Sequence, residues 1–217
     1  MNSFYHPQHG ILIAPNKCAS TTLQSTIPNN RIILGNHLNS QHLSADLVWH
    51  VVVRDPVAWY VSGYRYSAAH LVNQAREMDY KPDSFESHLE YCISRRDALL
   101  DAQPSQFDIH TWFNPVDQTA RLLKKHHLPI TRVNKYIKLE NQARFEKIIV
   151  NFADGNPVKT ANVTSEKITY KPFARSIAYP TLNDRSIDLI KQLDNWSYRC
   201  GYNLEHSLES YSNVVHT

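Results

Sequence analysis

Short apolar runs alternate with segments of helical periodicity in the first third of the chain. The runs GILIA (10–14), RIIL (31–34) and LVWHVVVR (47–54) are almost continuously apolar and rich in β-branched residues, which is typical of strands buried on both faces. Helical patterns follow them at 20–27, near 40–46 and at 56–75. This alternation predicts a parallel sheet with helices on its faces.

The rest of the chain carries further helical patterns, at 84–99, 115–127, 141–153 and 183–197. KYIKLE (135–140) predicts one more strand, and the turn-rich segment 153–172 predicts a long surface loop. No repeat, low-complexity tract or linker divides the sequence. We therefore expect a single α/β domain over residues 1–217.

Composition narrows the class of protein. The chain has 217 residues, of which 42% are hydrophobic, and its formal net charge of +3 suits an anionic ligand. That charge is too small and too dispersed for a nucleic-acid binder. Cys18, Cys92 and Cys200 lie far apart without a CxxC pair, so we expect reduced thiols and no zinc ribbon. No export signal or membrane-length apolar run is present, which predicts a cytoplasmic protein.

The stretch ILIAPNKCASTTLQSTI (11–27) predicts a strand, a tight loop and a helix start. Backbone N–H groups and the helix dipole favour an anion at such a point. Lys17 adds a positive charge, Ala19 leaves room for a ligand, and Ser20, Thr21 and Thr22 supply hydroxyl donors. A capped helix start with a solvated lysine is the alternative. The nucleotide-binding pattern GxxxxGK(S/T) is not matched, because the loop has no glycine and Lys17 comes three residues before Ser20 instead of immediately before it.

A second stretch, VVVRDPVAWYVSGY (51–64), carries an arginine at the end of a predicted strand. Asp55 and Pro56 are explained as the N-cap and first residue of the next helix. Arg54 would lie at the carboxyl edge of the sheet, where open α/β sheets bind ligands, and its planar guanidinium suits phosphate. Ser62 follows two helical turns later.

Together the two stretches resemble the sulfotransferases that use 3′-phosphoadenosine 5′-phosphosulfate (PAPS). APNKCASTTL is similar to the family's 5′-phosphosulfate loop PKxGSTxL, and VVVRDPVAWYVSGY is similar to its 3′-phosphate motif RDPxxRxxSxY. Three weaker similarities to carbohydrate-type members follow, in GNHL (35–38), YIKLEN (136–141) and DLIKQLDNWSYRCGY (188–202). The chain departs from the family where Ala19 replaces the loop glycine, Asn16 is inserted before Lys17, and Trp59 stands near the second arginine.

The resemblance implies a three-layer, P-loop-like fold and a metal-independent transfer of a sulfuryl group from PAPS, leaving 3′,5′-adenosine bisphosphate (PAP). Lys17 would be catalytic at the 5′-phosphate. The donor would also be held by Cys18, Ala19, Ser20, Thr21 and Thr22, and its 3′-phosphate by Arg54 and Ser62.

The general base is predicted among twelve histidines. His37 follows a predicted strand and matches a Gly-His segment of the family, and its ordinary pKa suits proton removal near neutral pH. His42 is the second candidate, and His110 belongs either to an acceptor pocket or to packing. Glu140 is interpreted as structural or donor-adjacent. Three cations of the late loop are candidates for closing over a ligand, namely Lys167, Lys171 and Arg175.

The expected acceptor is a hydroxyl group, most plausibly of a carbohydrate. Two other functions stay open at this point. A kinase or nucleotide hydrolase is disfavoured by the absent GK(S/T) order and by the lack of a clear metal-binding aspartate. A non-catalytic module that binds a nucleotide or glycan is kept open by the glycine-free loop.

Overall fold

The computed structural model describes residues 1–33, 37–44, 46–74, 82–99, 114–158 and 177–215. The chain divides into two compact units, which we call the sheet unit (Met1–Arg54 with Asn114–Val163) and the helical unit (Asp55–Phe113 with Thr164–Thr217). The expectation of a single domain stays a prediction. The predictions for His110, Lys167, Lys171 and Arg175 concern residues outside the described ranges.

The sheet unit contains a five-stranded sheet of order β3-β1-β2-β4-β5. Its strands are β1 (Asn2–His6), β2 (Gly10–Ala14), β3 (Ile32–Ile33), β4 (Trp49–Val53) and β5 (Lys135–Lys138). All five residues of β2 and of β4 are buried, as their continuous apolar sequences predict. The predicted mixed α/β class is confirmed.

Strand directions confirm part of the predicted topology and correct the rest. β2, β4 and β5 are parallel neighbours, as expected. β1, which was not predicted, is antiparallel to both β2 and β3, so the sheet is mixed and the predicted parallel arrangement holds for only part of it. Since β3 pairs with β1 in this way, β3 runs in the same direction as β2. The carboxyl ends of β2, β3, β4 and β5 therefore lie at one edge of the sheet.

Gly10, the first residue of β2, has a positive φ of 86°. A Cβ atom there would stand 2.0 Å from the carbonyl oxygen of Val48. That carbonyl accepts a hydrogen bond of 2.9 Å from the N–H of Ile11. Glycine at this position therefore allows the backbone before β4 to approach β2.

Seven α-helices lie in the part of the chain that the structure describes. They are α1 (Ser20–Thr26), α2 (Pro56–Gln74), α3 (Phe85–Leu99), α4 (Pro115–Lys125), α5 (Gln142–Phe152), α6 (Asp184–Leu193) and α7 (Leu204–Val215). Short 3₁₀ turns occur at Asn29–Arg31, Ser40–Leu43, Ile130–Arg132 and Ser197–Cys200. The predicted helices α1 to α6 are confirmed within a few residues, whereas 40–46 is only a 3₁₀ turn and α7 was not predicted.

In the sheet unit, α4 and α5 bury apolar faces. Phe145, Ile149 and Phe152 of α5 are buried at a spacing of three to four residues, which is the spacing of one helix face. The side chain of Asn114 caps α4 by accepting from the N–H of Asp117 at 2.9 Å, and Pro115 opens the helix. The cap and the proline explain why α4 begins where its sequence predicts.

The helical unit consists of α2, α3, α6 and α7 around an aromatic core. The rings of Trp59 and Trp196 lie 6.4 Å apart, and the indole N–H of Trp196 donates to the Tyr60 hydroxyl at 3.3 Å. Arg185 of α6 forms an ion pair of 2.8 Å with Glu90 of α3. Trp59 is 1% exposed, so the residue that stands near the family's second arginine is part of a hydrophobic core here.

Across the described residues, no helix combines the length and apolar character that crossing a membrane requires.

Candidate anion-binding site

The loop that joins β2 to α1 spans residues 15–19 and is tightly turned. Lys17 and Ala19 both have left-handed backbone conformations, with φ of 67° and 57°. The N–H of Cys18 donates to the carbonyl of Pro15 at 3.1 Å, which closes a turn inside the loop. Each left-handed residue other than glycine costs about 1 kcal/mol or more. The loop is therefore held in a strained conformation by its surroundings.

Two cations of the sheet unit come together at this point. Arg54 directly follows β4, and Lys17 lies three residues beyond the end of β2, so both stand at the carboxyl edge of neighbouring parallel strands. Burial holds the pKa of Lys17 well below its ordinary value, and the positive charge of Arg54 lowers that pKa further. An anion between the two would offset both effects, because it replaces lost hydration and reduces the repulsion between like charges.

The first turn of α1 supplies the hydroxyl groups that the sequence predicted. Ser20 and Thr22 are half-buried and Thr21 is exposed. The first N–H groups of an α-helix have no carbonyl partner within that helix and point back along its axis, here toward the loop. The helix has no acidic residue in its first turn that would repel an anion. Hydroxyl groups and the first N–H groups of α1 therefore lie next to Lys17 in the chain.

Cys18 is completely buried. Its N–H donates to the Pro15 carbonyl, so this backbone donor already has a partner within the loop. The predicted contact of Cys18 with a donor stays a prediction.

The residues after Arg54 begin the helical unit. The side chain of Asp55 accepts from the N–H of Ala58 at 3.0 Å, which confirms its predicted role as the N-cap of α2. Ser62 lies in α2 and is half-buried. Its predicted contact with a 3′-phosphate stays a prediction.

The candidate bases are placed differently. His37 is exposed and follows β3, whose carboxyl end lies at the same edge of the sheet as those of β2 and β4. His42 is buried in the 3₁₀ turn Ser40–Leu43, where its Nδ1 accepts from the N–H of Asn39 at 3.1 Å. Burial lowers the pKa of His42. Its ring completes a helix cap, so His42 is explained structurally. Glu140 is exposed in the turn after β5.

One residue that the sequence analysis did not consider contacts the loop. Gln118 of α4 is 1% exposed, and its Oε1 accepts from the N–H of Asn16 at 2.9 Å. The two residues are 102 positions apart in the chain, and no local sequence pattern indicates such a contact.

A second polar cluster lies at the opposite edge of the sheet. The Nδ1 atom of His6 accepts from the N–H of Gln8 at 3.1 Å, so its Nε2 carries the proton and donates to Asp154 at 2.9 Å. Arg31 also binds Asp154, at 3.1 Å, and the pKa of this carboxyl is lowered chiefly by the hydrogen bond from His6. Both nitrogens of His6 are used, which indicates a structural link between β1 and the end of α5.

A buried histidine and cysteine also meet in the helical unit. The Sγ of Cys92 lies 3.7 Å from Nε2 of His88. Burial lowers the pKa of His88 to about 3 and raises the pKa of the Cys92 thiol. Both groups are neutral near pH 7, which is the opposite of an activated thiolate–imidazolium pair.

Within the described ranges, no three histidine, cysteine, aspartate or glutamate side chains are grouped so that they could hold a metal ion.

Comparison of the chain with protein-family models, with curated proteins and with solved structures found no match.

Proposed function

We propose that the protein is a PAPS-dependent sulfotransferase that transfers a sulfuryl group to a hydroxyl of a carbohydrate. The observation that carries this proposal is the pair of cations formed by Lys17 and Arg54 at the carboxyl edge of β2 and β4. The order of strand, tight loop and helix around Lys17 supports a P-loop-like arrangement of this unit, as do the parallel strands β2, β4 and β5, of which β2 and β4 are fully buried.

In the proposed reaction, the acceptor oxygen attacks sulfur while the bond between sulfur and the bridging oxygen breaks. The electron pair of that bond goes to the 5′-phosphate of PAP. Lys17 in its charged form would stabilise this growing negative charge, together with donors at the start of α1. Preorganised donors of this kind typically contribute on the order of 100- to 1000-fold in rate.

The 3′-phosphate distinguishes PAPS from AMP and ATP, neither of which carries one. Arg54 is the cation proposed to hold the 3′-phosphate, since its guanidinium forms two parallel hydrogen bonds with a phosphate. Ser62 is proposed as a further donor, as the family motif implies.

The acceptor hydroxyl must lose its proton during transfer. His37 is proposed as the base because its side chain is exposed and lies beyond the carboxyl end of β3. Imidazole is the side-chain group that most often serves as a general base. The proton would reside on His37 until solvent takes it.

A non-catalytic nucleotide-binding module is the second candidate. The left-handed conformation of Ala19 favours it, because the family has glycine at this position and alanine there costs stability. Such a module would bind PAP through the same cations without turnover.

The first test is calorimetric titration with PAP, in the absence of metal ions, with AMP and ATP as comparison ligands. We expect PAP to bind more tightly than AMP, and Arg54→Ala to weaken PAP binding by roughly 10- to 100-fold, the effect of one charge-assisted contact. Arg144→Ala is the matched control, since Arg144 is an exposed arginine of α5 in the same unit. Its affinity should equal that of the wild type.

Two results would reject the proposal, namely no binding of PAP or a preference for ATP with magnesium. Transfer assays then separate the two candidate functions. A sulfotransferase should lose turnover in Lys17→Ala and His37→Ala, whereas a module that binds PAP but shows no turnover with PAPS and any carbohydrate acceptor favours the non-catalytic function.

A further inference from the structure

A buried side chain of α4 anchors the strained loop from outside. Gln118 accepts a hydrogen bond of 2.9 Å from the N–H of Asn16, and both residues are buried. Asn16 immediately precedes Lys17, whose φ is 67°. The orientation of the Asn16 peptide therefore helps to set the backbone conformation from which the Lys17 side chain extends.

The first turn of α4 makes Gln118 a rigid anchor. Asn114 caps this helix, and the Gln118 N–H donates to the Asn114 carbonyl at 3.0 Å. The neighbouring Thr119 hydroxyl donates to the carbonyl of Pro115 at 2.8 Å. With its backbone fixed and its side chain 1% exposed, Gln118 has little freedom to withdraw its carbonyl from Asn16.

We propose that Gln118 is a positioning residue of the anion-binding loop: its side-chain carbonyl fixes the Asn16 peptide and thereby keeps Lys17 at the carboxyl edge of β2. This inference rests on the proposed function. It also explains how the chain accommodates Asn16, the residue inserted relative to the family motif. The added residue has its own acceptor on a neighbouring helix.

Removing this acceptor should affect the loop first. A buried N–H that loses its partner is unfavourable, so the Asn16 peptide would turn toward water or toward another acceptor. The left-handed conformations of Lys17 and Ala19 would then relax, since they are intrinsically unfavourable in residues other than glycine. Neither Lys17 nor Ala19 belongs to the core of the sheet, so the sheet unit should stay folded in the variant.

The first measurement is hydrogen exchange of the Asn16 amide, which needs no ligand. In Gln118→Met, which keeps the length and removes the acceptor, we expect exchange at least about 10-fold faster, as loss of one hydrogen bond implies. Gln118→Glu keeps an acceptor oxygen at the same place and should retain protection. Gln142→Met is the matched control, because Gln142 is exposed and bonds only locally, to Glu146 at 2.8 Å.

PAP affinity is the second measurement. We expect Gln118→Met to weaken binding about 10-fold and Gln142→Met to leave it unchanged. A double-mutant cycle with Ala19→Gly distinguishes positioning from general support of the fold. Glycine tolerates the left-handed conformation, so in its presence the loss caused by Gln118→Met should shrink at least threefold. Additive effects would contradict a role in holding the loop.

The outcomes separate this inference from the proposed function. If the wild type does not bind PAP, the proposed function fails, and the Asn16 exchange rate alone decides whether Gln118 anchors the loop. If PAP binds but Gln118→Met leaves both exchange and affinity unchanged, the positioning role is overturned. Should Gln118→Met not fold, Gln118→Asn replaces it, since its amide is one methylene too short to reach Asn16 and the same results are expected.

Discussion

At the scale of single residues, the loop at 15–19 combines a ligand-binding sequence with an unfavourable backbone. Ala19 has φ of 57° and directly precedes α1, a place where the related motif has glycine. Glycine has no Cβ atom, so it would adopt the same conformation without the steric conflict with the backbone that alanine has. The departure from the family motif is therefore a source of instability in this chain.

We expect Ala19→Gly to raise the free energy of unfolding by about 1 kcal/mol. Urea denaturation followed by circular dichroism measures this change. Ala120→Gly in the interior of α4 is the control and should lower the free energy of unfolding by about 1 kcal/mol, because glycine is a poor helix former. Destabilisation by both substitutions would show that Ala19 is not left-handed in solution.

Because the pKa of Lys17 is lowered, we expect PAP binding to be accompanied by proton uptake. Above this pKa the free amine is neutral, whereas a bound phosphate favours the charged form and raises the pKa again. PAP binding should therefore take up protons between the lowered pKa of Lys17 in the free protein and the ordinary lysine pKa of about 10.4, and in the alkaline part of this range, where the phosphates themselves are already ionised, the affinity should fall as the pH rises.

Calorimetry in two buffers of different ionisation enthalpy, at one pH, counts the protons taken up. Lys17→Met should abolish the uptake, whereas the exposed Lys147→Met should leave it unchanged. Uptake that persists in Lys17→Met would assign the proton to another group.

At the scale of elements, the sequence was most informative where burial is continuous. β2 and β4 are buried along their whole length, so their apolar runs identify them without any alternation. β1 has the mixed sequence NSFYH, in which Ser3 and His6 are buried as well as Phe4. Because two of its buried residues are polar, β1 does not show the hydrophobic pattern by which strands are predicted.

The sequence predicts those residues of the candidate site that lie near one another in the chain or come directly after predicted strands. Lys17 and Arg54 follow two buried strands, and parallel packing brings strand ends to one edge. The anchor Gln118 is a tertiary contact over 102 positions, which no local pattern contains. From the sequence alone, a histidine whose ring caps a helix, such as His42, cannot be distinguished from a histidine that acts as a base.

A substitution at Gly10 tests how closely β2 and the backbone before β4 approach each other. In Gly10→Ala, a Cβ would meet the Val48 carbonyl at 2.0 Å, in addition to the unfavourable φ of 86°. Gly155→Ala is a matched control, because Gly155 has φ of 85° and no atom within 4 Å of the added Cβ.

We expect Gly155→Ala to cost about 1 kcal/mol for the backbone alone, and Gly10→Ala to cost about 1–3 kcal/mol more for the steric overlap. Chemical denaturation of the two variants gives the difference. Equal losses would mean that the strands separate enough in solution to admit a methyl group.

At the scale of the whole molecule, the small net charge of +3 conceals an uneven distribution. By sequence, the sheet unit has 12 lysines and arginines against five acidic residues, whereas the helical unit has 11 against 15. The formal charges are therefore +7 and −4. The unit that carries Lys17 and Arg54 is the basic one, which favours the approach of an anionic ligand to it.

Each unit also buries a histidine with a strongly lowered pKa. Burial, followed by the charge of Lys135, lowers the pKa of His50 in β4 to about 4, and burial lowers that of His88 in α3 to about 3. In the unfolded chain both would titrate near 6.5. Between pH 6.5 and 4 the unfolded state thus binds more protons than the folded state, and stability must fall as the pH falls.

Each of these two histidines should reduce the free energy of unfolding by about 1.4 kcal/mol per pH unit below pH 6.5. Urea titrations at pH 6.5, 5.75 and 5 measure the slope in a range where few carboxylates titrate. His88→Gln should remove about half of the contribution of the pair, whereas His206→Gln, at an exposed position of α7, should leave the slope unchanged. An unchanged slope in His88→Gln would mean that His88 is protonated in the folded protein, which its complete burial beside the Cys92 thiol makes unfavourable.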